Sequence, residues 1–155
     1  MRGYLIDTIT HEKVEFQYTP DEFVHEDVPE IASHRPIGSS SPLYQYVHGG
    51  ERLLSFTATF HWQTSQEEVL RQVSRIRALT FPEIGTDGRI KSGPHPVILV
   101  VGDLYRDTAW IVKSVRTRFH SRFDGETGLP AQAEVNIVLA VHRKVSITYS
   151  KVQRF

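Results

Sequence analysis

The stretch that decides the fold spans residues 108–142 and reads TAWIVKSVRTRFHSRFDGETGLPAQAEVNIVLAVH. Apolar and polar residues alternate over residues 131–142, which is the pattern of a half-buried strand. Residues 108–123 form a second run rich in β-branched and aromatic residues. The segment between the two runs, residues 124–130, contains two glycines and a proline and predicts a turn. The sequence therefore predicts one long β-hairpin.

This hairpin is longer than a domain of 155 residues can cover. Such a domain has a diameter of about 40 Å, whereas a strand of ~16 residues spans about 50 Å at ~3.3 Å per residue. The hairpin is expected to protrude, and its long edges invite pairing with another chain. We expect an oligomer in which the sheet continues between subunits, most simply a closed ring. Within the first strand, the period of two places Ile111, Val115 and Phe119 on one face.

The remainder of the chain predicts further strands, one helix and two loops. Strands are expected at residues 4–9, 14–18, 22–28, 51–62 and 96–101, with the last buried on both faces. A helix is expected from a capping Thr64 or Ser65 to Phe81-Pro82, with apolar residues on one side that pack on a sheet. We predict a single domain over residues 1–155, with a long loop at 29–50, another at 83–95, and a C-terminal arm or strand at 145–155.

Composition excludes several classes of protein. The chain has no cysteine, which excludes a disulfide scaffold, a Cys-ligated zinc site and a thiol nucleophile. No apolar run approaches the ~18 residues of a membrane span.

The 18 basic and 18 acidic side chains cancel, but they are unevenly placed. Residues 1–30 carry eight acids and two bases, a net of −6, and residues 110–155 carry eight bases and three acids, a net of +5. The two ends are expected to attract each other, within one chain or between neighbours.

Catalytic and metal-binding patterns are missing from the sequence. The turn His48-Gly49-Gly50 and the run Ser39-Ser40-Ser41 have no G-x-S-x-G nucleophile motif beside them. His11-Glu12 and His25-Glu26-Asp27 lack the H-x-x-x-H spacing of a metal site. An acidic, solvated edge is the simpler interpretation of these residues. We therefore predict no enzyme activity, no cofactor and no metal.

A basic stripe is the sharpest charged feature. Arg116, Arg118, His120 and Arg122 recur at every second position, which places all four on one face of a strand. Such a stripe suits a nucleic-acid backbone, the acidic residues of a partner, or an ordinary solvated sheet face, and the pattern alone leaves all three open. The aromatic residues on the apolar sides of strands are predicted to be core rather than a stacking surface. They are Phe56, Phe60, Trp62, Trp110 and Phe119.

Several short pieces of the chain, in their order and spacing, resemble tail-tube-type proteins of contractile phage tails and related contractile injection systems. These pieces are Tyr4-Leu5-Ile6-Asp7, Phe16-Gln17-Tyr18-Thr19-Pro20, Gly49-Gly50-Glu51-Arg52 leading to Phe56 and Phe60, Trp110 to Val115 through Phe123-Asp124, and Gly128-Leu129-Pro130 with Ala133 to Leu139. The resemblance covers nearly the whole chain and is strongest to baseplate hub or tube-initiator members, whose domain in larger members precedes a LysM module. The sequence ends at Phe155, so no room for that module is expected.

The resemblance implies a mainly β fold with one α-helix, a tail-tube-like β-barrel or sandwich with a flanking helix and a long protruding hairpin. It further implies a structural virion protein, made in the host cytoplasm, whose six copies form a ring in the tail baseplate. Such a ring adapts the baseplate hub to the tail tube and helps to initiate tube assembly. Its expected partners are copies of itself and the adjacent hub and tube rings, with sheath or wedge proteins as further candidates. DNA would only pass through the bore, and no membrane is involved.

The contacts between subunits or rings are hypothesised to lie on the hairpin, strand 51–62, the loop 29–50 and the C-terminal stretch. The residues proposed for them are Arg116, Arg118, His120, Arg122, Asp124, Gly128, Glu51, Arg52, Glu26 and Asp27. Two alternatives stay open: a monomeric β-barrel that binds a small ligand in its interior, and a tail tube or terminal ring protein elsewhere on the tail.

Overall fold

The computed structural model describes residues 3–63, 65–105 and 108–142, and within these ranges the chain forms eleven strands and one helix. The elements in chain order are β1 (Tyr4–Asp7), β2 (Lys13–Glu15), β3 (Phe23–Asp27), β4 (Glu30–His34), β5 (Leu43–His48), β6 (Arg52–His61), α1 (Gln66–Ala78), β7 (Glu83–Ile84), β8 (Ile90–Ser92), β9 (Val97–Val100), β10 (Ala109–Phe123) and β11 (Pro130–Val141). The expected mainly β fold with one helix is confirmed. The C-terminal arm or strand expected at 145–155 lies outside the described residues.

Seven of the strands form one antiparallel sheet in the order β2-β1-β9-β10-β11-β6-β3. The predicted long hairpin is confirmed: β10 and β11 pair with each other from Trp110 opposite Val141 to Phe123 opposite Pro130. The predicted strand at 51–62 is β6, which lies beside β11 over nine residue pairs. The hairpin and β6 therefore form the centre of the sheet, and the shorter strands flank it.

One face of this sheet packs against α1 to form the core. Alternating residues of β6 and β11 have no more than 3% of their surface exposed, because their period of two turns them all toward the helix. They are Leu54, Phe56, Ala58, Phe60, Ala133, Val135, Ile137 and Leu139. The helix contributes Val69, Val73 and Ile76 at helical spacing. Burial of each large side chain stabilises the fold by about 1.5–3 kcal/mol.

The sheet curls, so that residues next to its two outer strands meet. The rings of Phe16, just after β2, and Phe56 of β6 lie with their centroids 5.6 Å apart. The Gln17 side chain then pairs with the backbone of His61: its amide nitrogen donates to the carbonyl oxygen at 2.7 Å, and its oxygen accepts from the N–H at 2.6 Å. The side-chain amide thus makes the two hydrogen bonds that a residue of a neighbouring strand would make at the end of β6.

The segment 29–50, predicted to be a loop, contains the two paired strands β4 and β5. The prediction gave too much weight to the prolines and glycines, which lie at the turn and the base of the segment, and too little to alternating residues such as Ile31, Tyr44 and Tyr46. We name residues 30–48 the arm. Among the described helices and strands, β4 and β5 contact only each other, and nearly all of their residues are exposed. The arm therefore stands away from the core.

The arm leaves the sheet at a close crossing of two backbones. The N–H of Val28 donates to the carbonyl of Glu51 at 3.2 Å. A Cβ atom on Gly50 would lie 1.4 Å from the carbonyl oxygen of Val28. Because no side chain fits there, glycine at position 50 is what allows the two chains to cross.

A β-bulge changes which side chains of β10 face the core. Val112 lies opposite Leu139, but Ser114 lies opposite Val138, so Lys113 is an extra residue. Trp110 and Val112 are buried before the bulge, whereas the odd-numbered Val115 and Phe119 lie opposite core residues after it. The prediction that Ile111 shares a face with Val115 and Phe119 is therefore wrong, because a strict period of two does not hold across a bulge.

Four other predicted details differ from the structure. Ser65 is the N-cap residue of α1, but its side chain makes no capping hydrogen bond, and the helix ends at Ala78, before Phe81-Pro82. β9 alternates between buried and half-buried residues rather than being buried on both faces, because only one face of the sheet carries the helix. The predicted loop 83–95 contains the short paired strands β7 and β8.

A histidine holds the β7–β8 hairpin against the main sheet. Nδ1 of His95 lies 2.8 Å from Oδ2 of Asp7 at the end of β1, and Nε2 lies 3.4 Å from Oε2 of Glu83 in β7. The hydrogen bond with Asp7 raises the pKa of His95 above its usual value, although partial burial opposes it. Burial raises the pKa of Asp7, but hydrogen bonds from Ile9, His95 and Thr10 outweigh burial and lower it. The contact with His95 also lowers the pKa of Glu83.

These shifts predict a pH-dependent stability. The contribution of protonated His95 to the free energy of unfolding is complete below the pKa of about 6.5 that the residue has in the unfolded chain. It is lost as the pH rises through the higher pKa of the folded chain. The contributions of Asp7 and Glu83 are present above about pH 4.5 and are lost on acidification. We expect the His95→Gln variant to lose about 0.5–1 kcal/mol of unfolding free energy at pH 5.5 and less at pH 8.5. Urea unfolding at both pH values measures this, with the exposed His34→Gln as control. An equal loss at both pH values would contradict the ionised contact.

The backbone crossing predicts a strong difference between two adjacent glycines. Gly50→Ala forces the backbones apart, and we expect a loss of about 1–3 kcal/mol at the base of the arm. Gly49→Ala is the matched control, because the nearest atom to a Cβ there is the Tyr46 hydroxyl at 3.5 Å. Limited proteolysis of the arm reports local opening, and urea unfolding reports global stability. Equal behaviour of the two variants would show that the backbones do not cross as described.

Candidate assembly interface

The predicted interface residues do not converge on one pocket but fall into three regions of the surface. Arg116, Arg118, His120 and Arg122 lie on β10, and Asp124 and Gly128 lie in the turn after it. Glu26, Asp27, Glu51 and Arg52 lie where the arm joins β3 and β6. Their role in contacts between subunits stays a prediction.

The basic stripe lies on the face of the sheet opposite the helix. Arg116, Arg118 and His120 lie opposite Asn136, Glu134 and Gln132 of β11, so the three share that outer face. Nε2 of His120 is 3.1 Å from Oε1 of Glu134, without the geometry of a hydrogen bond. A second irregularity between His120 and Phe123 removes Arg122 from the regular alternation, although it is exposed.

The three arginines of the stripe have no acidic partner within the part of the chain that the structure describes. Across residues 3–63, 65–105 and 108–142, neither Arg116 nor Arg118 nor Arg122 forms an ion pair. They are exposed, so water solvates them in the single chain. Three unpaired positive charges on one strand are available to a partner.

One edge of β10 is open over most of its length. β9 pairs with β10 only at Ala109 and Trp110, and no other described strand pairs with that side. The N–H of His142 donates to the carbonyl of Ala109, so these two residues form a hydrogen-bonded pair. This pair shows which residues of β10 point their backbone groups toward β11. Hydrogen-bonded pairs recur at every second residue, and the bulge shifts them by one residue on β10. The backbone N–H and C=O groups of Val115, Thr117 and Phe119 therefore point away from β11. They form a free strand edge.

The opposite side of the sheet ends at an acidic strand. β3 is the last strand in the order and, among the described strands, pairs only with β6. Glu26 is exposed there, and Asp27 forms an ion pair with Arg52, with Nε and Oδ1 2.9 Å apart. Asp21 and Glu22 precede the strand and line an open groove of about 300 Å³. The outer strand of the sheet is therefore acidic, whereas β10 is basic.

Glu51 is already paired within the chain. Its carboxylate forms an ion pair with Nζ of Lys113, the bulged residue of β10. Both side chains are largely exposed, so this pair contributes at most about 1 kcal/mol. The ion pair links the base of the arm to the bulge. Because Glu51 is already paired within the chain, it is less available for the predicted contact between subunits.

Asp124 and Gly128 shape the turn of the long hairpin. The Asp124 carboxylate accepts hydrogen bonds from the Thr127 hydroxyl at 2.6 Å and the Glu126 N–H at 3.3 Å. These bonds lower the pKa of Asp124, the Thr127 bond most. Gly128 has a φ of +67°, a conformation that other residues rarely adopt. Both residues therefore have a local structural role.

Sequence reasoning missed a set of exposed aromatic residues. Phe56, Phe60 and Trp110 are buried as predicted, but Trp62 is 53% exposed and Phe119 is 38% exposed. The prediction for these two is wrong, because both side chains are exposed although the adjacent Phe60 and Ala133 are buried. Tyr44 and Tyr46 of the arm are 72% and 65% exposed. Their alternation with Leu43, Gln45 and Val47 was the available signal for an exposed strand.

The interior of the fold is filled by side chains. Phe16, Phe60, Leu5, Leu99 and Ile76 are among the fully buried residues of the core. This packing gives no support to a ligand held inside a barrel. The described part of the chain contains no helix long and apolar enough to cross a membrane.

No protein-family model and no curated protein sequence matches the chain. Among solved structures, it is similar to the Dit protein of phage SPP1, described as a paradigm of the hub adsorption apparatus in phages that infect Gram-positive bacteria, with a TM-score of 0.55 and 10% identity. The match covers 90% of this chain and 49% of Dit, so the chain spans about half the length of that protein.

Two further matches come from larger particles. A chain of the native gene transfer agent virion aligns with a TM-score of 0.41 and 10% identity, covering 94% of this chain and 95% of that one. A chain of the anti-feeding prophage baseplate aligns with a TM-score of 0.43 and 11% identity, covering 92% and 88%. The likeness to Dit establishes a shared fold, and the resemblance to hub-type tail proteins seen in the sequence is confirmed at that level.

The open edge predicts an alternation in hydrogen exchange along β10. In the unassembled chain, the amides of Val115, Thr117 and Phe119 should exchange about tenfold or more faster than those of Arg116, Arg118 and His120, the equivalent of one hydrogen bond of ~1.4 kcal/mol. NMR-detected exchange measures this. The β11 amides of Val135 and Ile137, which face β6, provide the protected control. Uniform protection along β10 would mean that its edge is covered within the chain.

Proposed function

We propose that this chain is a structural component of a phage tail or related injection particle and forms a ring in the baseplate. The observation that carries the proposal is the free edge of β10, a long row of backbone hydrogen-bonding groups in a fold shared with a hub protein. An unpaired edge of this length is normally paired or covered. Addition of a neighbouring copy satisfies it without any change in the fold.

The proposed lateral contact joins β3 of one copy to β10 of the next. Both strands have an open edge, and both belong to the same sheet, so a heterologous contact between them continues the sheet from copy to copy. Asp21, Glu22 and Glu26 would then lie near Arg116 and Arg118 of the neighbour. Opposite charges on the two edges favour this arrangement over β10 against β10.

The finer parts of the proposal come from the resemblance. The ring has six copies, adapts the baseplate hub to the tail tube and helps to initiate tube assembly. Its partners are copies of itself and the adjacent hub and tube rings, with sheath or wedge proteins further out, and DNA only passes through the bore. The role is structural and non-enzymatic, in a virion assembled from chains made in the host cytoplasm. The likeness to Dit supports the hub location.

Imaging of the assembled particle tests this function. We expect a sixfold ring of this chain next to the tail tube, with β3 and β10 of neighbours side by side. A ring of another symmetry would correct the copy number only. Absence of the chain from the particle would refute the proposal.

Charge reversal tests the lateral contact. We expect the triple variant Arg116→Glu, Arg118→Glu, Arg122→Glu to be incorporated into particles at least about tenfold less than the parent chain, since like charges then face each other. The control reverses three exposed arginines elsewhere, Arg71, Arg75 and Arg89, and should be incorporated normally.

Reversal of both sides sharpens the test. The chain that also carries Asp21→Lys, Glu22→Lys and Glu26→Lys should regain incorporation, because opposite charges again face each other. Thermal melting of each variant separates folding from assembly. Normal incorporation of the first triple variant, or no recovery in the doubly reversed chain, would disprove pairing between these strands.

A further inference from the structure

The outer edge of β3 is left open by the part of the chain that the structure describes. Among those strands β3 pairs only with β6. The N–H of Val28 donates to the carbonyl of Glu51, so every second residue before Val28 points its backbone groups toward β6. The backbone groups of Phe23 and Asp27 therefore point away from β6. An edge of this kind accepts a further strand.

The chemistry of this edge defines the strand that would fit it. Asp21 and Glu22 precede β3, and Glu26 lies near its other end; all three are exposed. Across residues 3–63, 65–105 and 108–142, none of the three forms an ion pair. Phe23 is partly buried and packs against the core. A fitting strand carries positive charge and has apolar side chains on the face of Phe23.

The residues that follow β11 in the sequence have both properties. Residues 143–155 contain four bases and no acid. The bases are Arg143, Lys144, Lys151 and Arg154. Within residues 145–149, the apolar Val145, Ile147 and Tyr149 alternate with polar residues, which predicts a strand. This alternating stretch has the same length as β3, which has five residues.

The 143–155 segment begins close to β3. Ala140 lies opposite Leu53 of β6, so the next residue, Val141, is level with Arg52, which lies opposite Asp27 of β3. The far side of β3 is three strand spacings from β11, a distance of about 14 Å. Thirteen extended residues reach about 40 Å. The segment is therefore long enough to cross to this edge and to pair along it.

The topology also gives the direction of that pairing. β11 ends at the level where β3 ends, so a segment that turns back after His142 runs antiparallel to β3. The two bases before the alternating stretch would then lie near Glu26. Lys151, after the stretch, would lie near Glu22 and Asp21. Each end of the added strand thus meets opposite charge.

Two other edges of the main sheet do not suit this segment. The open edge of β10 carries Arg116 and Arg118, which repel a basic strand. β2, at the other end of the strand order, has only three residues. The edge of β3 is the one that matches the segment in both charge and length.

We propose that the 143–155 segment adds to β3 of its own chain as an antiparallel strand and so withholds the acidic edge from β10 of a second copy. The segment imitates β10, since both offer basic side chains to the same carboxylates. Pairing within one chain is favoured over exchange between chains, because a short linker gives an effective concentration of about millimolar. The inference rests on the proposed function in one respect, because the competitor is the neighbour's β10. A copy that joins a ring releases its segment first.

The test uses variants of the full chain. The test variant carries Ile147→Pro with Thr148→Pro in the alternating stretch. Successive N–H groups of a strand point to opposite sides, so one of the two prolines removes a donor to β3 in either register. The matched control carries Val152→Pro with Gln153→Pro, outside that stretch. Thermal melting confirms the folding of each variant.

Hydrogen exchange detected by NMR measures the docking, at a concentration where sedimentation velocity shows a monomer. We expect the amides of Phe23 and Asp27 to exchange at least about tenfold faster in the test variant than in the parent chain and the control. The amide of Glu26, which faces β6, should stay protected in all three. Lys144→Glu with Lys151→Glu leaves the backbone intact and should also expose the edge, because it places like charges together.

Sedimentation velocity over a wide concentration range measures the competition with β10. We expect the test variant to self-associate at least about tenfold more tightly than the parent chain, because its β3 edge is available to another copy. Adding Arg116→Glu and Arg118→Glu to the test variant should remove this gain, since the incoming β10 then carries the wrong charge.

Three results would overturn the inference. The first is equal exchange of the Phe23 and Asp27 amides in the parent chain and the test variant. The second is protection of these amides that disappears on dilution, which would mean that another copy supplies the strand. The third is a test variant that associates no more tightly than the parent chain.

These outcomes are independent of particle imaging. A docked segment in a chain that is absent from particles would refute the proposed function alone. A ring in the particle, built from a chain whose β3 amides are unprotected in the monomer, would refute this docking alone.

Discussion

The unequal length of neighbouring strands is the constraint on which the rest of the structure depends. β10 has fifteen residues, but β9 beside it has four and pairs at two positions. Of the described strands, only β11 pairs with the far part of β10, and the other edge of that part is open. The open edge follows from this mismatch. A single domain cannot remove it, because the strand is longer than the domain is wide.

The central elements could be predicted from the sequence because their signals are local. The alternation in β6 and β11 arises because one face of each strand is buried. The one-sided apolar pattern of α1 arises because the helix packs on that same face of the sheet. The turn at Asp124 to Gly128 follows from residue types that suit it. Together these patterns specify one large sheet with a helix on it. They also show that the hairpin exceeds its domain, which was the first indication of an assembly.

The interface could be predicted only in part, because it depends on features that a sequence pattern does not contain. The bulge at Lys113 shifts the alternation, so Ile111 and Val115 face opposite ways. Trp62 and Phe119 have the sequence environment of core residues, and the strand pattern does not show where burial along the strand ends. A loop is predicted for the arm because its prolines and glycines outweigh the alternation of Ile31, Tyr44 and Tyr46 in strands that are exposed on both faces.

The bulge at Lys113 has a geometric consequence for any strand that adds to β10. It divides the open edge into a short stretch next to β9 and a longer one from Ser114 to Phe123. An incoming strand loses its hydrogen-bonding pattern on reaching the extra residue, since the spacing of the ladder changes there. In the proposed β3–β10 contact, Lys113 would therefore act as an end stop that limits how far a neighbouring sheet slides. Its ion pair with Glu51 connects that position to the base of the arm.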